Sequence, residues 1–211
     1  MPLFENFAGE VASAAKIVQT FRDHTNFGIP AHIIRDAKGL AILHVTKAGL
    51  LVSAEHGNGI VVARLPDGSW SAPAAIKTTA LGVGHQLGVE VSNLIFVLNT
   101  DDAVKAFAKG HNFSVGGQVS FAIGPLGRAA EVAGTIKSFA PIYTYSHSKG
   151  LFAGASVELS SISERSSVNA DTYGAGVSSE VILSGGVPPP DFAADLYLAL
   201  GAAIVEVEVT E

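Results

Sequence analysis

Residues 40–73 read Leu40-Ala41-Ile42-Leu43-His44-Val45-Thr46-Lys47-Ala48-Gly49-Leu50-Leu51-Val52-Ser53-Ala54-Glu55-His56-Gly57-Asn58-Gly59-Ile60-Val61-Val62-Ala63-Arg64-Leu65-Pro66-Asp67-Gly68-Ser69-Trp70-Ser71-Ala72-Pro73. Short apolar runs with a period near two alternate here with turn residues, which is a strand pattern. It predicts strands at Leu40–Val45, Leu50–Glu55 and Ile60–Leu65. His56-Gly57-Asn58-Gly59 and Pro66-Asp67-Gly68-Ser69 are turn sequences, because Asn-Gly and Asp-Gly accept positive φ at low cost. Trp70, between Pro66 and Pro73, marks the second as a tight hairpin.

The same pattern continues outward. Further strands are predicted at Leu94–Leu98, Ser114–Ile123, Ala129–Ser138, Ile142–Ser146 and Leu151–Leu159, with a reversal at Gly124-Pro125-Leu126-Gly127. Three segments have helical period instead. In the first, Phe4, Phe7, Val11, Ala14, Val18 and Phe21 recur at three- and four-residue steps, with Glu5 and Glu10 early and Lys16 and Arg22 late, the order that suits the helix dipole. The second runs from Pro30 to Lys38 and stops at Gly39. The third follows the cap Asn99-Thr100-Asp101-Asp102 and ends at Lys109-Gly110. Later, Val177–Leu183 leads to Gly185-Gly186 and the breaker Pro188-Pro189-Pro190, after which Asp191 caps a last helix to about Leu200. The order of helices and antiparallel strands predicts an α+β fold and argues against a βαβ repeat. Strongly bent antiparallel sheets, eased by 23 glycines, are expected to form a barrel-like or sandwich core, with N-terminal, middle and C-terminal helices at its edges.

Composition narrows the function. The 211 residues contain no cysteine, which excludes disulfide scaffolds and thiol chemistry. A chain of this size buries about 70% of its surface, enough for a substantial core in one domain. It reads as 1–24, an amphipathic helix; 25–200, a β-rich core; and 201–211, a tail or short strand. Mean hydropathy is high, +0.37, yet the apolar stretch 196–205 is far short of the ~20 residues a bilayer crossing needs. The N-terminus lacks the basic and apolar regions of a secretory signal. A cytoplasmic protein with no transmembrane segment is expected. The net charge of −6 is uneven: residues 1–150 hold 12 Lys/Arg against 10 Asp/Glu, and residues 151–211 hold 1 against 9. With no basic cluster, nucleic acid is not an expected partner.

Catalytic motifs are absent. There is no phosphate-binding G-x-x-x-x-G-K-[ST], no G-x-S-x-G and no H-E-x-x-H. Gly82-Val83-Gly84-His85-Gln86-Leu87-Gly88 approaches a dinucleotide fingerprint, but its third glycine is one place late and strand follows. The seven histidines have no paired ligand spacing, so neither metal nor cofactor is expected. Asp101 and Asp102 read as a cap, and Ser160, Ser161, Ser163, Glu164, Arg165, Ser166 and Ser167 as a solvated loop. An enzyme would require a deep pocket gathering His85, His147, Tyr145 and Glu158; the other reading of these four is a hydrogen-bond network within the strands.

Longer phrases are more specific. Pro30-Ala31-His32, residues 37–43, Lys47-Ala48-Gly49, residues 59–73, Ala106-Phe107-Ala108-Lys109-Gly110, residues 124–128, residues 143–154 and Ile182-Leu183-Ser184-Gly185 resemble, in order and over about residues 10–200, the SYLF domain of yeast and animal endocytic proteins. The resemblance implies a non-enzymatic module that binds anionic phospholipids, phosphoinositides in particular. It also implies, for yeast-like members, actin filaments and an actin-nucleation promoter as partners. Peripheral association with endosomal or plasma membrane would follow. Lipid binding in this family is associated with the N-terminal helix and its lysines, which places the lipid-binding residues here at Phe4, Phe7, Val11, Lys16, Arg22 and Lys38. Ala8, Ala12, Ser13, Ser166 and Ser167 stand where relatives are basic. Each basic residue near an anionic membrane contributes about 1 kcal/mol, so losing three or four weakens binding about a hundred- to a thousandfold. The helix's apolar face then has two readings, insertion into lipid or cover for the β core. The alternative function is an actin- or coat-protein interaction scaffold whose membrane targeting comes from another domain.

Overall fold

The computed structural model describes residues 6–24, 28–108, 113–114, 121–123 and 140–201. Its elements are α1 (Phe7–Asp23), α2 (Ala31–Asp36), β1 (Gly39–Ala63), β2 (Ala74–Leu98), α3 (Asp101–Ala108), β3 (Phe113–Ser114), β4 (Phe121–Ile123), β5 (Ile142–Glu164), α4 (Ser166–Tyr173), α5 (Ser179–Leu183), a 3₁₀ turn (Asp191–Ala193) and α6 (Ala194–Ala199). The strands form one sheet in the order β1-β2-β5-β3; β4 pairs with β5 in parallel and every other pairing is antiparallel. The fold is the expected α+β with bent antiparallel strands, and the sheet is open rather than closed into a barrel.

Three strands are much longer than the sequence pattern implied. The expected strands Leu40–Val45, Leu50–Glu55 and Ile60–Leu65 are parts of one 25-residue strand, β1. Fully extended, it would span about 80 Å. Instead it doubles back, for just outside its two ends the Arg64 N–H donates to the Lys38 carbonyl at 2.8 Å. The reversal is at Leu50–Val52, where the register to β2 shifts and Leu51 takes φ 64°. The expected turn at His56–Gly59 therefore lies inside a strand. Its glycines serve close approach: a Cβ on Gly59 would stand 2.0 Å from the Ile42 carbonyl oxygen, and one on Gly57 2.6 Å from Val45 Cγ2. β2 and β5 follow β1 in register from Gly39↔Leu98↔Ile142 to Ile76↔Glu164.

The turn at Pro66–Ser69 forms as expected. Leu65 N–H donates to the Ser69 carbonyl, Asp67 Oδ1 accepts from the Ser69 N–H and hydroxyl, and Gly68 has φ 86°. Arg64 and Trp70 bridge across it, the guanidinium 3.8 Å from the indole centroid. Burial beneath this contact pushes the Arg64 pKa down.

α1, α3 and α5 begin at side-chain caps. Asn6 Oδ1 accepts from the Gly9 N–H at 2.9 Å and starts α1; Thr100 Oγ1 accepts from the Ala103 N–H and starts α3. Ser178 caps α5, which lies within the segment Val177–Leu183. Ser166–Tyr173 is also helical, a correction to the solvated-loop reading, as is the inclusion of Ser160–Glu164 in β5. The expected strand Ala129–Ser138, the reversal at residues 124–127 and Lys109-Gly110 lie outside the described residues.

At one end the sheet is covered on both faces. Leu40, Ile42, Ile60, Val62, Ile95, Val97, Tyr143 and Tyr145 pack with the buried sides of α1, α2 and α6. The alternating Ala41, Leu43, Val45, Val61, Ala63, Phe96, Leu98 and Ile142 pack with α3 and α5. Two covered faces explain why these strand segments are continuous apolar runs.

Candidate functional site

The predicted lipid-binding residues separate into two groups. Val11 is fully buried, together with Ala14, Ala15, Ile17, Val18 and Phe21, so the apolar face of α1 covers the sheet. Phe7 is half-buried, edge-on to Phe192 at 5.9 Å and 79°. Phe4 lies outside the described residues. Lys16, Arg22 and Lys38 are exposed. Arg22 Nη1 also donates to the Ala199 carbonyl at the end of α6, a cation placed where the helix dipole favours it. Lys16 and Arg22, six residues apart, point about 120° apart around the helix. They do not share a face. Lys38 stands beyond α2, its backbone hydrogen-bonded to Leu98 and Arg64.

Other side chains hold α1 and the C-terminal helices in place. Arg165 Nη1 pairs with Glu10 Oε2, tying the β5–α4 junction to the first turns of α1. Asn169, fully buried, accepts from the Ala75 N–H at 2.8 Å and donates to Glu164 Oε1 at 3.0 Å and Ser179 Oγ at 3.2 Å. Glu164 Oε1 also accepts from the Ser179 N–H. Tyr173 and Tyr197 donate to the carbonyls of Pro73 and Ser71 on the link between β1 and β2. In the sequence, Glu10 registered only as an acid near a helix start. Its partner lies 155 positions away, beyond any local pattern.

Of the four residues considered for catalysis, Tyr145 and His147 have described side chains. Tyr145 is buried in the core, and burial raises its pKa above the ordinary tyrosine value. His147 is opposite Asn93 in the register; the side chains of His85 and Glu158 lie outside the described residues. A shallow depression of about 150 Å³ is lined instead by Val45, Lys47, Glu55, Glu90, Ser92 and Leu94. Among the described residues, no group of three or more His, Asp or Glu side chains is placed to hold a metal ion, and no helix is long and apolar enough to cross a membrane.

Residues 79–203 match the family model described as Ysc84, Las17-binding protein actin regulator. The chain belongs to this family. The SYLF resemblance read from the sequence is the same assignment. The rat SH3 domain-containing YSC84-like protein 1 is 48% identical over 95% of this chain, and the human protein of that name 49% identical over 93%. LAS seventeen-binding protein 3 of Saccharomyces cerevisiae is 43% identical over 94% of this chain. This chain spans 61% of the rat protein, 59% of the human one and 45% of the yeast one. No solved structure matches it.

Proposed function

We propose that this chain, residues 1–211 acting as one non-enzymatic module, is an actin-linked component of endocytic trafficking that associates peripherally, from the cytoplasm, with phosphoinositide-containing membranes. The observation that carries the actin link is the match of residues 79–203 to the family model described as a Las17-binding protein actin regulator. The membrane part rests on the family and on the exposed cations Lys16, Arg22 and Lys38. Since Val11, Val18 and Phe21 cover the sheet, α1 in this conformation meets head groups through its polar side. Insertion of its apolar face would require the helix to leave the core.

Vesicle flotation and filament co-sedimentation test the two parts separately. Lys16→Glu with Arg22→Glu is expected to lower binding to phosphoinositide vesicles at least about thirtyfold, at roughly 1 kcal/mol for each cation lost. Unchanged flotation removes the head-group role. Pelleting with actin filaments at low salt supports the actin link, and its absence there counts against direct actin binding. The scaffold reading draws on a different feature, the excess of eight acids over bases in residues 151–211. That charge repels anionic lipid and suits a basic protein partner. It predicts co-sedimentation with weak flotation.

A further inference from the structure

Among the described residues, the most exposed large aliphatic side chains lie near the bend of the sheet. Leu50, Leu51, Val52, Leu81, Leu87 and Val89 are each 56–66% exposed. Leu50, Leu51 and Val52 are consecutive. Successive residues of a strand point to opposite faces, so exposure of all three means that neither face is covered and the bend projects. Leu51 also has φ 64°, a conformation that disfavours a side chain. Leu51 belongs to neither core cluster.

Charge marks the limits of this tip. Between Lys47 and Glu55 on β1, between Lys77 and Glu90 on β2, and between Lys149 and Glu158 on β5, no residue is charged. Lys47 is opposite Glu90, and Glu90 is opposite Gly150, next to Lys149, so one side of the tip has a collar of alternating sign across three strands.

We propose that this bend is a second membrane contact, which dips into the interfacial zone of a bilayer and does not require anionic lipid. The proposal rests on the membrane part of the reading above. Among the described residues, the side chains exposed at the tip are leucine and valine, an aliphatic patch that fits a lipid surface better than a protein partner, whose interface cores favour aromatic, methionine and arginine residues. From Lys47 to Leu51 the strand advances about 13 Å, more than the 5–10 Å to which interfacial apolar elements sink, so an inserted tip would keep the collar at head-group level. A collar holding both Lys47 and Glu90 matches head groups that themselves carry both signs.

The absence of cysteine allows a direct test on the full chain. Leu51→Cys and, as a control on α3, Asp102→Cys are labelled with an environment-sensitive fluorophore and mixed with phosphatidylcholine vesicles, with and without phosphoinositide. The label at 51 should shift to the blue and be quenched by brominated acyl chains in both vesicle types; the label at 102 should do neither. Leu50→Ser with Leu87→Ser should reduce flotation on phosphatidylcholine about tenfold. Flotation without quenching at 51 overturns the tip contact and leaves the membrane reading standing. No flotation on either vesicle type removes both. A concentration-dependent blue shift without lipid, abolished by Leu87→Ser, overturns the proposal by assigning the tip to a second copy of the chain.

Discussion

Arg165, the last basic residue of the chain, forms an ion pair with Glu10, near the beginning, and their side chains are only 20% and 12% exposed. The pair joins the helix that covers one face of the sheet to the strand and helix that follow it. Removing one partner leaves a largely buried charge unmatched. Arg165→Ala or Glu10→Ala should each cost about 2 kcal/mol, below the 3–5 of a fully buried pair because some solvent reaches it. Replacing both with apolar residues, Glu10→Leu and Arg165→Met, should recover much of that loss. Urea midpoints over the four-member cycle measure it, and single losses under about 0.5 kcal/mol would show the pair to be no more than a surface contact.

Asn169 has a comparable role inside the molecule. Asn169→Ala leaves the buried Ala75 N–H without its acceptor and takes a donor from Glu164, for an expected loss of about 3 kcal/mol. Asn169→Asp should be worse, because it sets a second carboxylate against Glu164 Oε1 where the amide now donates. Thermal midpoints of the two variants decide this. Aspartate at least as stable as alanine contradicts the assigned network.

How much of this was legible in the sequence follows from the range of the forces involved. α1, α2, α3 and the Pro66–Ser69 turn are decided locally, by caps and by apolar residues within a few positions of each other. Alternation identified β1, β2 and β5 as strand but not their length, because the doubling back lies at Leu50-Leu51-Val52, which carries no turn residue, while His56-Gly57-Asn58-Gly59 looks like a turn. The glycines there are required by the other half of the same strand, which no local window contains. The candidate site divides in the same way. Amphipathicity found the face of α1 bearing Val11, Val18 and Phe21, and only packing could assign that face to the sheet. Glu164 and Arg165 passed for solvated polar residues because Ser179 and Glu10 are distant in sequence.

Two glycines distinguish close approach from turn conformation. At Gly59 an added methyl meets backbone, the Ile42 oxygen at 2.0 Å and Leu43 Cα at 2.8 Å, and backbone cannot swing aside. Gly59→Ala should therefore cost about 3 kcal/mol or prevent folding. Gly68 has φ 86° with open space around it, so Gly68→Ala should cost only about 1 kcal/mol. Equal losses in matched denaturation curves would mean that the two halves of β1 do not approach as described.

Alkaline pH should release the C-terminal helices from the sheet. Tyr197 donates to the Ser71 carbonyl, and burial pushes its pKa from 10.0 up to about 12; burial raises Tyr173, on Pro73, further still. The folded state thus favours the neutral phenol. Below pH 10 both folded and unfolded chains hold the proton and the contribution is fully present. Between pH 10 and about 12 the unfolded chain gives up its protons while the folded one keeps them, so stability falls steadily and the contribution is lost as pH passes the folded value. Tyrosinate absorbance and circular dichroism, followed together, should show ionisation of these two groups delayed until the fold is lost. Tyr197→Phe should flatten the decline in stability above pH 10, since phenylalanine has no proton to release. If all four tyrosines ionise near pH 10 with the circular dichroism unchanged, the two phenols are not held against the β1–β2 link.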